Sequence, residues 1–374
     1  MVKSRLLAGA LAVLAGGALV SVLVPGNATA DRFGAERHGD DKPLIIGHRG
    51  APAFRPEHTL LSYEAAAKMG ADYIEPDLVS TKDHILVARH ENEISGTTDV
   101  ENHPEFAARR VTKTIDGLQI TGWFTEDFTL AELRTLRAEE RIPDLRPDNT
   151  AYNGLAQIPT FDEVIQLAKR YGVGVYPETK HPTYFDSIGL SLEEPLLEVL
   201  NQHGWRDKRS PVFIQSFETT NLKELRAKTR LPIVQLINGS GAPYDLVAAG
   251  DPRTYDNLIT PDGLRDIAKY ADGIGPATTR IIPVDATGKL GQPTSLVRDA
   301  HRKGLKVHPF TIRDENSQLP LDYRLGNPAS PAFPRATGDV MGWVERLFEL
   351  GVDGVFADDP GLARATRDRL FDRS

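Results

Sequence analysis

Residues 73–88 read Tyr-Ile-Glu-Pro-Asp-Leu-Val-Ser-Thr-Lys-Asp-His-Ile-Leu-Val-Ala. Two apolar runs, Tyr73–Val79 and Ile85–Ala88, flank a short polar stretch, Ser80-Thr81-Lys82-Asp83-His84. A parallel pair needs a crossover of about ten residues or more, so this spacing predicts an antiparallel hairpin. Outward from it, similar short runs recur at Leu44–Gly47, Val173–Glu178, Val212–Gln215, Ile233–Ile237, Gly273–Gly275, Lys306–Thr311 and Gly354–Ala357.

With the second hairpin arm set aside, eight strands remain. Helical patterns separate them, at Thr59–Met69, from Thr160, and at Leu192–Asn201, Thr220–Ala227, Pro261–Ala271, Leu296–Lys303 and Val340–Leu350. Thr129-x-x-Glu132 and Thr160-x-x-Glu163 are capping boxes. Alternation of this kind implies an α/β fold, a (β/α)8 TIM barrel with a β-hairpin and a loop-rich insertion after the second strand. The insertion spans about 91–158, where one short helix stands among turn residues such as Pro143, Pro147 and Asn149. The barrel domain is expected over 44–374.

The N-terminus reads as an export signal. Lys3 and Arg5 precede an apolar run, Leu6–Val24, and Ala28-Thr29-Ala30 has a cleavage pattern. Residues 1–30 are expected to be removed and 31–43 to form a polar leader. The mature protein is then secreted, into the extracellular or cell-wall space, with no stable membrane anchor. Removing 1–30, which holds Lys3, Arg5 and no acid, takes the formal charge from −8 to −10. That argues against a nucleic-acid binder. Cysteine is absent, which excludes a catalytic thiol and any thiolate metal site.

Active sites of such barrels sit at the C-terminal strand ends. The first strand ends in His48-Arg49-Gly50, the second carries Glu75-Pro76-Asp77, the hairpin arm leads to His90, and the third ends in Glu178-Thr179-Lys180. Glu75 and Asp77, two apart on a strand, share a face. Two such carboxylates repel unless neutralised. A divalent cation, with Glu178 as third ligand, accounts for them, as does a salt-bridge set with Arg49 and Lys180. Carboxylates without Cys suit Ca2+ or Mg2+. His48 and His90 are acid–base candidates, since imidazole titrates near neutral pH. Arg49 offers a fork to a phosphate and Lys180 a point charge. The set suits phosphoryl transfer.

His48-Arg49-Gly50, Glu75-x-Asp77 and His90 resemble the signature of glycerophosphodiester phosphodiesterases. Arg55-Pro56-Glu57-His58-Thr59-Leu60, Gln215-Ser216-Phe217 and Gly351–Asp358 resemble further family segments. The resemblance covers about 44–363. It implies metal ligation by Glu75, Asp77 and Glu178, acid–base roles for His48 and His90, and phosphate contacts from Arg49 and Lys180. It also implies Ca2+ or Mg2+, with Ca2+ commoner in exported members, and sn-glycerol 3-phosphate plus an alcohol as products. The partner is then a small glycerophosphodiester or a wall teichoic acid; an enzyme of the sphingomyelinase D or phospholipase C kind is the alternative. His58 stands where many relatives carry Asn and is expected to support the site from behind.

Weaker features complete the reading. Phe217 and Phe310 are candidates for walling the glycerol pocket, or for top-layer packing. Asp358 and Asp359 are expected to cap the Pro360 helix, and Asn238-Gly239-Ser240-Gly241 to be a rim loop. Glu126 and Asp127 are explained as a loop before a helix cap. His181, His301 and His308 receive no role.

Overall fold

A computed structural model describes residues 42–372. The expected export segment over 1–30 and nearly all of the expected leader lie outside the described residues. Eight parallel strands close into a barrel. The first is Leu44–Gly47; the second runs as Tyr73–Ile74 and Asp77–Ser80, and the third as Gly174–Val175 and Glu178–Thr179. Ile214–Ser216, Ile233–Ile237, Gly273–Pro276, Lys306–Val307 and Gly354–Ala357 follow. The eighth pairs back onto the first, from Leu44 opposite Gly354 to Gly47 opposite Ala357. A single bridge, Ile312 to Ala357, joins the seventh to the eighth.

Proline explains the interruptions. Pro76 and Pro177 stand at the same level of adjacent strands, between the pairs Ile74–Val175 and Asp77–Glu178. Neither has an N–H for the ladder, but both still accept, Pro76 from Glu178 and Pro177 from Gln215. Pro309 cuts the expected seventh strand, Lys306–Thr311, to a regular pair at Lys306–Val307.

The hairpin is antiparallel, as its spacing requires, with Leu78 opposite Ala88 and Ser80 opposite Leu86. Both capping boxes form. Thr129 and Glu132 open Leu130–Leu133; Thr160 and Glu163 open Phe161–Tyr171, which Gly172 ends in the left-handed conformation. The insertion holds more structure than the expected single helix. A second hairpin pairs Val111–Ile115 with Leu118–Gly122. Its turn is Asp116-Gly117, with φ of 48° and 81°, the conformation that two-residue hairpins favour.

Inside the barrel the period of two sorts the side chains by height. Ile46, Tyr176, Val234 and Phe356 form one apolar cluster, with Phe213 stacked on Tyr176. Two residues further along these strands stand His48, Glu178, Gln215 and Asp358. The site therefore rests on a packed aromatic floor.

Candidate active site

Glu75, Asp77 and Glu178 come together as the strand pattern requires, each with a carboxylate oxygen within 4.8 Å of the others, and all are buried. Glu75 is held from two sides: Oε2 accepts the Arg49 backbone N–H at 2.9 Å, and Oε1 accepts from Gln215 Nε2 at 2.8 Å. His58 lies 3.0 Å from Asp77 Oδ2, and its other nitrogen lies 2.7 Å from the Tyr63 hydroxyl. Asp77 Oδ1 is buried without any partner. Burial, then neighbouring carboxylates, pushes Glu75 well above the usual carboxylate range. Burial also raises Glu178, to about 8, against the pull of Lys180. Three close carboxylates, one of them with a buried unpartnered oxygen, fit a hard divalent cation.

His48 Nδ1 lies 2.6 Å from Asp358 Oδ1. Asp358 is itself paired with Arg146 of the insertion, which also grips Glu315. Asp358 is thus an orienting partner of His48, not a helix cap; Asp359 alone caps Pro360–Phe371, accepting from Leu362 N–H. Barrel closure explains this, since pairing of Gly47 with Ala357 carries His48 and Asp358 to the same level. Burial and Arg49 lower the His48 pKa to about 4, outweighing Asp358. His48 is therefore held neutral, with Nε2 accepting from Arg49 Nε at 3.2 Å and lying 4.0 Å from Glu75 Oε2.

His90 lies across from Pro76, because Arg89 N–H donates to Asp77 C=O at 2.9 Å. Its Nδ1 is 2.7 Å from Glu91 Oε1 and its Nε2 is 3.4 Å from Lys180 Nζ. Burial, Arg49 and Lys180 lower its pKa to about 3. Lys180 also donates to Glu178 Oε1 at 2.9 Å. Two neutral imidazoles thus stand beside the carboxylate trio, with a fixed cation near each.

Arg49 enters in the left-handed conformation, φ 55°. Its Nη1 donates to Glu57 Oε1 at 2.9 Å, and Glu57 Oε2 accepts from insertion residue Arg141 at 2.8 Å. Gly50 permits the turn. Its φ is 97°, and a Cβ there would sit 2.4 Å from Ser62 Oγ.

Phe217 and Phe310 meet edge to face, centroids 5.7 Å apart, and Lys180 lies over the Phe217 ring. Both rings are half-buried. Glu126 is buried beneath the insertion hairpin, where it accepts from Asn92, Lys113 and Tyr184. Asn238–Gly241 is exposed rim. His181, given no role by the sequence, joins Glu91 to Asp116. Its signal lay in the turn: Asp-Gly at 116–117 fixes a hairpin tip whose carboxylate needs a partner.

Fold and site together define a barrel enzyme with acidic, basic and imidazole groups gathered at the C-terminal strand ends. The model of the glycerophosphoryl diester phosphodiesterase family matches residues 48–362, and the chain belongs to that family; it is a glycerophosphodiester phosphodiesterase. The chain is 36% identical over 334 residues to glycerophosphodiester phosphodiesterase GDPD6 of Arabidopsis thaliana, covering 86% of this chain and 84% of the relative. It is 30% identical over 368 residues to a glycerophosphodiester phosphodiesterase of Bacillus subtilis, covering 97% of both. A similar fold is seen in a phosphodiesterase of Oleispira antarctica in complex with the product sn-glycerol-3-phosphate, at TM-score 0.57 and 22% identity, covering 87% of this chain and 97% of that one.

Proposed function

We propose that the enzyme hydrolyses glycerophosphodiesters to sn-glycerol 3-phosphate and an alcohol, with a divalent cation, Ca2+ or Mg2+, held by Glu75, Asp77 and Glu178. The cluster of three buried carboxylates, with Asp77 Oδ1 buried and unpartnered, carries this reading. A cation bound there supplies positive charge to the developing charge on phosphoryl oxygens. Arg49 and Lys180 neutralise the same oxygens from the protein side. His48 and His90 move the protons. In the first step the glycerol 2-hydroxyl oxygen bonds to phosphorus as the bond to the alcohol oxygen breaks. One imidazole takes the hydroxyl proton; the other, which gains a proton when the anionic phosphodiester binds beside it, protonates the departing alkoxide. Internal attack is favoured because the hydroxyl is already in place. Water then opens the cyclic phosphate, with the two imidazoles in exchanged roles. Phe217 and Phe310 wall the glycerol.

The substrate is a small glycerophosphodiester or the end of a poly(glycerol phosphate) wall polymer. Secretion is part of the reading and rests on Lys3, Arg5 and the apolar run to Val24. Among the described residues, no helix is long and apolar enough to cross a membrane. The test measures glycerol 3-phosphate released from glycerophosphocholine and from poly(glycerol phosphate), with and without chelator. Release that chelation abolishes and Ca2+ or Mg2+ restores supports the proposal; full activity in excess chelator sinks the metal's part.

A further inference from the structure

The insertion reaches three of the reacting groups through intermediate side chains. Arg146 holds the partner of His48, and Arg141 the partner of Arg49. The third link is the longest and belongs to the hairpin Val111–Ile115/Leu118–Gly122. We propose that Asp116, at the tip of this hairpin, is a positioning residue that sets the orientation of His90 through His181 and Glu91. The inference rests on the reading of His90 as an acid–base group.

Four side chains from three segments alternate between imidazole and carboxylate. His90 Nδ1 lies 2.7 Å from Glu91 Oε1. Glu91 Oε2 lies 2.8 Å from His181 Nε2. His181 Nδ1 lies 2.6 Å from Asp116 Oδ2. Both nitrogens of His181 face carboxylates, so both are donors and the ring is an imidazolium. Burial alone would lower its pKa, but the hydrogen bonds to Asp116 and Glu91 raise it to about 9. An imidazolium on one side keeps Glu91 a carboxylate. Glu91 therefore accepts from His90 Nδ1–H, which turns the His90 Nε2 lone pair toward Lys180 Nζ, 3.4 Å away, on the side of the carboxylate trio. This is the arrangement a proton-transferring imidazole needs.

The backbone is committed to the same end. His181 has φ 49° immediately after the Lys180 strand end, and Asp116 has φ 48°. Non-glycine residues seldom adopt the left-handed conformation, and here it aims the two side chains at each other. Unlike Arg146, which is buried between two acids, Asp116 lies on a partly exposed turn. Asn tolerates the left-handed conformation, and Asn-Gly is a favoured pair for such turns. Asp116→Asn therefore removes the charge while keeping the hairpin.

The experiment uses the full mature enzyme with saturating Ca2+ and glycerophosphocholine. Asp116→Asn is compared with native enzyme, alone and in a Glu91→Gln background, with thermal unfolding measured for each. The expected result is a fall in kcat of roughly tenfold, a modest part of what acid–base catalysis contributes, with KM within twofold and Tm close to native. In the Glu91→Gln background Asp116→Asn should cost no further kcat, because the link is already broken. Native kcat for Asp116→Asn would overturn the inference. So would a rise in KM alone, which marks a substrate contact, or an equal loss in both backgrounds, which marks an independent effect. His90→Ala separates the two levels. If it is fully active the acid–base reading fails; if it is inactive while Asp116→Asn is native-like, only this inference fails.

Discussion

Replacing Asp358 by Asn is the sharpest probe of the proton circuit. Asp358 presents Oδ1 to His48 Nδ1 at 2.6 Å and Oδ2 to Arg146. An Asn at this position must turn its carbonyl oxygen toward Arg146, because a guanidinium only donates. Its amide group then faces His48 Nδ1 and donates to it. The imidazole proton is driven onto Nε2, the nitrogen that must accept a proton in one of the two steps. Losing a hydrogen bond to a charged group costs roughly 1.5–3 kcal/mol, or about 10- to 150-fold in rate. Inverting the tautomer costs more, roughly 10⁴-fold where the same substitution is made beside a catalytic imidazole in serine proteases. We expect kcat to fall between these bounds, with KM changed little. Arg146 retains Glu315, with Nε and Nη2 both donating to it, so the fold should survive. The assay is steady-state glycerol 3-phosphate release beside thermal unfolding. A variant with native Tm and kcat within threefold of native would refute the claim that Asp358 orients His48.

Glu75→Gln is nearly isosteric with the protonated carboxyl that burial favours in the metal-free site. Without metal its Tm should match native; Ca2+ should raise the native Tm, as a ligand binding only the folded state must, and leave the variant unmoved in differential scanning fluorimetry. His181 has a pKa raised from 6.5 to about 9. Its contribution to stability is therefore complete below the unfolded value and lost as pH rises through the folded one. The Tm advantage of native protein over His181→Gln should be constant below pH ~6.5 and shrink toward pH 9 and above. Gly50→Ala places a Cβ against Ser62 at φ 97°; backbone strain of roughly 1–3 kcal/mol plus the clash should appear in denaturant unfolding, with activity falling alongside. A substrate whose glycerol 2-hydroxyl is removed should be cleaved far more slowly than its parent; equal rates of alcohol release would favour direct attack by water.

Much of the site was legible because its residues lie on strands, where spacing dictates direction. Glu75 and Asp77 share a face by the period of two, and the five-residue link after Val79 forces the hairpin that brings His90 opposite Pro76. Caps at Thr129 and Thr160 are likewise local, needing only partners three residues away. Even the unforeseen hairpin at 111–122 was signalled by Asp116-Gly117, a turn that needs only its own backbone. Tertiary structure alone decided the orienting groups. Asp358 meets His48 across 310 residues, and only closure of the eighth strand onto the first sets that register. Arg146 and Arg141 reach the mouth from turn-rich parts of the insertion that have no strand or helix period to aim them, and Asp116 from a hairpin whose docking only packing decides. The carboxylates and imidazoles were written in a repeating pattern; the partners that set their charge and orientation come from loops, where direction is fixed by packing.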